Sequence, residues 1–185
     1  MTDKYVFLDR DGVINKDSSL YIKNPSEFEF LPKSIEAVAM LCENGFKVIV
    51  ITNQSLIGRG MASVETLSAI FEKMKKGIAE KGGQILDIFF CPHRPDEGCA
   101  CRKPAPGMIW DAQKKYHIDL SRSVMVGDSA KDIQAGIAAG CGRTVLVETG
   151  NGPEARTWLA EHGIEPDRVA ADLFQAAEWI VCQSF

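Results

Sequence analysis

The sequence has few of the features that mark a secreted, membrane-bound or nucleic-acid-binding protein. No apolar run among its 185 residues is long enough to span a bilayer. Residues 1–12, MTDKYVFLDRDG, lack the apolar stretch and the small-residue cleavage site of a signal peptide. The formal net charge of −4 provides no basic footprint for nucleic acid. These absences predict a cytoplasmic protein without a membrane or nucleic-acid partner, in which cysteines stay reduced.

Internal repeats, low-complexity tracts and linker-like stretches are also missing from the sequence. Repeat arrays and flexibly joined modules are therefore not expected. The length and the hydrophobic content of 45% suit one domain with a sizeable core. We predict a single domain over residues 1–185, and we expect it to act as a monomer.

Short apolar runs alternate with segments of helical periodicity along the whole chain. The predicted strands are 4–8, 46–51, 85–90, 122–126, 143–147 and 168–171. The predicted helices are 33–44, 63–81, 106–117, 129–139, 153–162 and 172–182. This alternation predicts an α/β fold, a three-layer Rossmann-like parallel sheet with helices on both faces. Such sheets bind ligands at the carboxyl ends of their strands.

Two carboxylates, Asp9 and Asp11, follow the first predicted strand in the stretch DRDG. Carboxylates leaving a buried strand are costly unless something compensates for them, and a divalent cation would do so. One of the two is suited to attack phosphorus, while the other handles the proton. The second strand ends in the polar stretch TNQS, residues 52–55, whose hydroxyl and amide groups are suited to an oxyanion.

Further charged residues lie after later strands. Asp128 follows the strand at 122–126 and is predicted to be a magnesium ligand, provided that it meets Asp9. Asp132, one helical turn later, is expected to orient this loop rather than to bind the metal. Lys103 is suited to hold a phosphoryl group and to offset the charge of nearby carboxylates.

The six cysteines divide into two groups. Cys42, Cys141 and Cys182 lie in apolar segments, and we predict that they pack in the core as small hydrophobic residues. The others stand in the stretch CPHRPDEGCACRKP, residues 91–104.

This second stretch has the composition of a zinc site. Cys91, His93, Cys99 and Cys101 offer three thiolates and one imidazole, a set that fills a tetrahedral site. A filled set predicts a structural zinc in the loop 91–103. Its expected effect is to order the two residues that follow, Arg102 and Lys103.

Taken together, these motifs resemble those of the haloacid dehalogenase superfamily of phosphohydrolases over nearly the whole chain. The resemblance implies that Asp9 is a nucleophile that forms an aspartyl-phosphate and that Asp11 is the general acid and base. It implies that Thr52 and Lys103 hold the phosphoryl group. The implied magnesium ligands are Asp9, Asp128 and the backbone carbonyl of Asp11.

Within the superfamily, the cysteine loop followed by CRKP resembles the histidinol-phosphatase-like branch, which includes phosphatases of heptose 1,7-bisphosphate and of histidinol phosphate. The stretch TNQSLIGRG, residues 52–60, favours the heptose enzymes, which serve bacterial heptose and lipopolysaccharide synthesis. This resemblance implies a small phosphorylated sugar as substrate and removal of its 7-phosphate. The implied substrate contacts are Asp17, Tyr21, Asn53, Gln54, Ser55, Arg59 and Arg102.

The spacing between the first two strands leaves no room for a separate cap domain. Selectivity is therefore expected from loops 15–25, 53–60 and 91–103. Three alternatives remain open at this point: a histidinol-phosphate phosphatase, a nucleic-acid end phosphatase and a zinc-stabilised binding module without chemistry. The acidic net charge disfavours the second of these, and the complete set of catalytic motifs disfavours the third.

Overall fold

The computed structural model describes residues 3–184, which form a parallel sheet between two layers of helices. The strands are β1 (Lys4–Leu8), β2 (Phe46–Asn53), β3 (Ile85–Cys91), β4 (Ser123–Gly127), β5 (Arg143–Val147) and β6 (Arg168–Ala170). The helices are α1 (Ser34–Glu43), α2 (Val64–Ala79), α3 (Gly107–Tyr116), α4 (Ala130–Ala139), α5 (Gly152–Glu161) and α6 (Leu173–Val181). The predicted α/β fold is confirmed, with element ends within a few residues of those expected from the sequence.

The strand order is β3-β2-β1-β4-β5-β6, and every pairing is parallel. From the central pair, β1 connects outward to β2, whereas β4 connects outward to β5. Such a reversal leaves a crevice at the carboxyl ends of the two strands, where doubly wound folds bind their ligands. Residues 9–33 join β1 to α1 without a cap domain between them.

Alternation of side chains along the strands divides the core between the two faces of the sheet. Val6, Leu8, Val48 and Val50 point to the face that α1, α2 and α6 cover. The intervening side chains, such as Phe7, pack on the opposite face against α3 and α4, and a third cluster joins α4 and α5. Because both faces are buried, the central strands β1, β2 and β4 are mainly apolar, as the sequence showed.

The cysteine prediction is confirmed at two positions and wrong at the third. Cys42 and Cys141 are partly buried and pack against the two main cores. Cys182 is exposed, because α6 ends at Val181 and places the next side chain beyond the last buried turn. Within residues 3–184, no helix combines the length and apolarity that crossing a membrane requires.

Candidate active site

The central strands bring the predicted carboxylates together. The Asp9 amide donates a hydrogen bond to the Val126 carbonyl at 2.9 Å, so the end of β1 lies beside the end of β4. One oxygen each of Asp9, Asp128 and Asp132 lies within 4.8 Å of the others. The predicted meeting of Asp9 with Asp128 therefore occurs at the crevice between β1 and β4.

Lys103 is buried among these carboxylates. Its Nζ lies 2.9 Å from Asp9 Oδ1, forms an ion pair with Asp132, and donates to the Ile51 carbonyl at 2.8 Å. Asn53 fixes the lysine backbone, because its side chain both accepts from the Lys103 amide and donates to the Lys103 carbonyl, each at 3.1 Å. Strand β2 thus holds Lys103 in place although 50 residues separate it from Asn53 in sequence.

The charges of this cluster do not balance within the protein. Burial raises the pKa of Asp9 to about 7, although Lys103 opposes the shift. Burial, followed by the nearby charge of Asp9, raises the pKa of Asp128 to about 8. Burial alone would lower the pKa of Lys103, but Asp132 and Asp9 raise it above its ordinary value. Two buried carboxylates and the partly buried Asp9 around one ammonium are therefore suited to hold a further, divalent cation.

Asp128 is enclosed by two glycines and an asparagine. A Cβ on Gly12 or on Gly150 would lie 2.1 Å from Asp128 Oδ2, and both glycines have positive φ. Asn151 donates to the same oxygen from its backbone amide at 2.8 Å and from its side chain at 3.1 Å. The Asn151 side chain also contacts Asp17 at 3.1 Å, so it links the loop after β1 to the carboxylate after β4.

Asp11 lines the same cleft, but donors surround its carboxylate. The Arg10 guanidinium donates to both oxygens at distances from 2.7 to 3.1 Å. Asn15 and Gln54 donate further hydrogen bonds at 2.9 and 2.8 Å. Burial alone would raise the pKa of Asp11, but Arg10 and these hydrogen bonds lower it. The ionised carboxylate, the form that a general base needs, is therefore favoured.

The four predicted zinc ligands converge after β3. Cys91 is the last residue of that strand, and Cys101 Sγ lies 3.2 Å from Cys91 Sγ and 3.4 Å from Cys99 Sγ. The Nδ1 atom of His93 lies 3.3 Å from Cys101 Sγ. These separations are far longer than a disulfide bond and place the four ligand atoms at the corners of a site for one ion. Burial and the neighbouring sulfurs raise the pKa of Cys101 to about 12, which a bound cation would reverse.

An open cleft of about 760 Å³ lies over the carboxylate cluster. Most of the predicted substrate contacts line it, namely Asp17, Tyr21, Asn53, Gln54, Ser55 and Arg102. Thr52 and Lys103 line it as well. Arg59 does not line this cleft; it is exposed, with its guanidinium 6.0 Å from the centroid of the Tyr21 ring.

The structure also adds residues that the sequence patterns did not single out. Arg10 and Asn15, which hold Asp11, are buried polar residues in the loop that follows β1. Asp132 accepts a hydrogen bond from the Ser129 amide at 2.9 Å and also contacts Lys103. The sequence carries no signal for the burial of Arg10, which only the structure shows.

The fold is that of the HAD-like hydrolases. The HAD-hydrolase-like family model matches residues 100–176, which begin in the cysteine loop and include Asp128. The predicted resemblance to the haloacid dehalogenase superfamily is thereby confirmed.

Family membership follows from close relatives. A D-glycero-β-D-manno-heptose-1,7-bisphosphate 7-phosphatase of Bordetella bronchiseptica is 46% identical over 179 residues, covering 96% of this chain and 98% of the relative. An α-anomer enzyme of Photorhabdus laumondii is 44% identical over 80% of this chain and 84% of the relative. The crystal structure of D,D-heptose 1,7-bisphosphate phosphatase from B. bronchiseptica, complexed with magnesium and phosphate, has a TM-score of 0.91 at 45% identity and covers 98% of this chain and 99% of that one. The chain belongs to the family of D-glycero-D-manno-heptose-1,7-bisphosphate 7-phosphatases, and the predicted resemblance to the heptose enzymes is confirmed.

Because Gly150 packs closely against Asp128, we predict that a larger residue at this position destabilises the protein. Gly150→Ala combines a positive φ of 56° with a Cβ placed 2.1 Å from Asp128 Oδ2. Gly163→Ala is the matched control, because its φ is 65° and nothing lies within 4 Å of its added Cβ. We expect the control to lose about 1–2 kcal/mol of unfolding free energy from backbone strain. Gly150→Ala should lose clearly more, as measured by denaturant midpoints; equal losses would show that Asp128 is not confined by this glycine.

Proposed function

We propose that this chain is a magnesium-dependent phosphatase that removes the 7-phosphate of D-glycero-D-manno-heptose 1,7-bisphosphate through an aspartyl-phosphate intermediate. The observation that carries the proposal is the contact of buried Lys103 with Asp9, beneath an open cleft that Thr52 also lines. The names of the relatives described above support the substrate. The complete set of catalytic side chains disfavours a binding module without chemistry.

In this proposal an Asp9 oxygen attacks the phosphorus of the 7-phosphate. Attack by a carboxylate on a phosphate dianion brings like charges together, and the ammonium of Lys103 reduces that repulsion. The hydroxyl of Thr52 is placed to hold a phosphoryl oxygen. Attack breaks the bond between phosphorus and the sugar oxygen, and water then hydrolyses the aspartyl-phosphate.

Asp11 serves both proton transfers. Because its ionised form is favoured, Asp11 has to take up a proton before the first step, in which it gives that proton to the departing sugar oxygen. Ionised again, it takes a proton from the attacking water in the second step. Its carboxylate accepts hydrogen bonds from Arg10, Asn15 and Gln54, so one of these contacts has to yield when the leaving oxygen arrives. Because Gln54 donates to Asp11 and to Thr52, we assign it to positioning these two residues as well as to lining the cleft.

The donor set fits magnesium. The proposed ligands are the carboxylates of Asp9 and Asp128 and the backbone carbonyl of Asp11, all hard oxygen donors. When bound, the ion neutralises charge on the carboxylates and on the phosphoryl oxygens. Asp132 keeps its ion pair with Lys103 and its hydrogen bonds to Ser129, so we assign it to orientation.

For the rest of the substrate, we assign the sugar and the second phosphate to the outer part of the cleft. Asp17, Tyr21 and Ser55 line it, and we assign them to the sugar. Arg102 and Lys131 line both this cleft and a smaller pocket beside the cysteine loop, and their positive charges suit the second phosphate. Arg59, which the resemblance implied as a contact, lies outside the cleft beside the Tyr21 ring. We therefore assign it at most a contact with the part of the substrate that lies next to Tyr21.

We further propose that zinc occupies the site formed by Cys91, His93, Cys99 and Cys101. Three thiolates and one imidazole complete a tetrahedral set, which leaves no open position for catalysis. The Arg102 guanidinium donates to the His93 carbonyl at 3.0 Å, so the ligand loop and the residue before Lys103 are held to each other. Zinc would thus order the segment that carries Arg102 and Lys103 into the cleft.

Thiolate ligands suit a reducing compartment, and we propose that the protein acts in the cytoplasm, as a monomer of one domain. Its product would feed heptose and lipopolysaccharide synthesis.

The test of the substrate is phosphate release from a matched panel. It contains both anomers of heptose 1,7-bisphosphate, histidinol phosphate and a 3′-phosphorylated oligonucleotide, each assayed with and without magnesium. We expect the highest kcat/KM for a heptose bisphosphate and loss of activity when magnesium is chelated. A preference for histidinol phosphate or for the oligonucleotide would replace the proposed substrate by one of the two alternative enzymes.

The nucleophile is tested by Asp9→Asn. An amide cannot attack phosphorus, while its nearly identical shape preserves the packing, so turnover should fall by at least about three orders of magnitude without loss of the fold. Asp111→Asn, an exposed position on α3 outside the cleft, is the control and should keep wild-type rates. The measurements are kcat and the thermal midpoint. Substantial turnover by Asp9→Asn would rule out an aspartyl-phosphate on this residue.

The zinc proposal is tested by metal analysis and by Cys99→Ser. Protein purified without added metal should contain close to one zinc per chain, held against a competing chelator. Cys99→Ser should hold zinc more weakly and, because Lys103 shifts, should lose on the order of a hundredfold in kcat/KM. Cys182→Ser, at an exposed cysteine away from the cluster, should match wild type in both measurements. Well-folded wild-type protein without zinc would contradict the proposal.

A further inference from the structure

The active-site cleft has a wall that none of the predicted specificity loops supplies. It is formed by Gln134 on α4 and by Glu154 and Trp158 on α5, and these three residues are called the α4–α5 wall below. They line the same cleft as Asp9 and Lys103. A cleft of about 760 Å³ has room for more than a phosphoryl group, since pockets of roughly this size hold whole small-molecule ligands.

Trp158 presents a large apolar surface to this cleft. Its side chain is 38% exposed, although aromatic rings of this size usually gain from deeper burial. The His162 ring stacks on the indole with centroids 3.7 Å apart and an interplanar angle of 15°. The Nδ1–H of His162 donates to the Trp158 carbonyl at 2.7 Å, which fixes the imidazole against the indole. The indole is therefore held in place while it lines an open site.

The two polar members of the wall have unused hydrogen-bonding groups. Within residues 3–184, the side chains of Gln134 and Glu154 make no hydrogen bond or ion pair. Gln134 is partly buried, so its amide has limited access to solvent other than through the cleft. An aromatic ring flanked by a free carboxylate and a free amide matches a ligand with a C–H face and several hydroxyl groups. A sugar ring has both.

We propose that the α4–α5 wall binds the heptose ring, with its C–H face against Trp158 and its hydroxyl groups donating to Glu154 and exchanging hydrogen bonds with Gln134. The proposal rests on the proposed function, because it takes the substrate to be a sugar phosphate. It places part of the substrate recognition on two helices of the scaffold, α4 and α5. Recognition on a helix is more rigid than recognition on the loops after β1 and β3.

The first test is the change in KM on removing the indole. Trp158→Ala should raise the KM for heptose 1,7-bisphosphate about tenfold more than it raises the KM for acetyl phosphate, which has no sugar. Trp158→Phe should restore part of the loss, because it keeps an aromatic face. Trp110→Ala is the matched control: this tryptophan is also exposed, on α3, but it does not line the cleft. It should leave both KM values unchanged.

The second test uses Glu154, which is exposed, so its substitution does not endanger folding. Glu154→Ala should raise the KM for the heptose bisphosphate by about ten- to a hundredfold, as expected for a hydrogen bond to a charged group. Glu161→Ala, at the other end of α5 and outside the cleft, should not change it. This second variant keeps the proposal testable if Trp158→Ala does not fold.

The outcomes separate this inference from the proposed function. If wild-type enzyme prefers the heptose bisphosphate but Trp158→Ala and Glu154→Ala affect both substrates equally, or neither, the α4–α5 wall does not bind the sugar and the proposed function stands. If wild-type enzyme shows no preference for the heptose bisphosphate over acetyl phosphate, the proposed function fails, and the inference fails with it. A selective rise in KM in both variants, absent from both controls, supports the inference.

Discussion

The site is organised around the buried ammonium of Lys103. It contacts Asp9 and Asp132 and the Ile51 carbonyl, and therefore ties together the ends of β1 and β2 and the first turn of α4. A lysine at 2% exposure is tolerable only with such partners, and the carboxylates in turn need its charge. The nucleophile proposed here consequently cannot be positioned independently of the segment that follows the cysteine cluster. The proposed zinc would therefore help to position Asp9 as well, because the loop that it orders leads directly to Lys103.

Much of this site could be predicted because parallel strands end at a common edge. Asp9 follows β1 and Asp128 follows β4, and their meeting required only that those strands be neighbours. The ligand atoms of Cys91 and Cys101 could be grouped because they are close in sequence and thiolates favour zinc. Strand and helix positions could be predicted from the apolar pattern, because strands buried on both faces give short apolar runs and helices buried on one side give a helical period.

What the sequence did not reveal depends on side-chain direction and on distant packing. Nothing in the stretch TNQS shows that the Gln54 amide turns inward to Asp11 and Thr52 while Asn53 binds the Lys103 backbone. The sequence does not indicate that Arg10 is buried, because charged residues after a strand are ordinarily exposed. In the structure its guanidinium lies in the interior and donates hydrogen bonds to Asp11. Trp158 could be recognised only once α5 was seen to border the cleft.

Gly12 and Gly150 press against Asp128 from two sides, and neither position has space for a methyl group. Substitutions are therefore expected to be tolerated at some positions of the cleft and not at others. The chemistry-bearing base of the cleft is closed to any residue larger than glycine at these points, while exposed positions around the rim, such as Ser19 and Glu154, can change without disturbing the reacting groups. Laboratory evolution toward other phosphate esters should accordingly succeed by altering the rim and should recover the two glycines unchanged. A fixed base beneath a variable rim is one physical reason why a single fold can supply phosphatases for many metabolites.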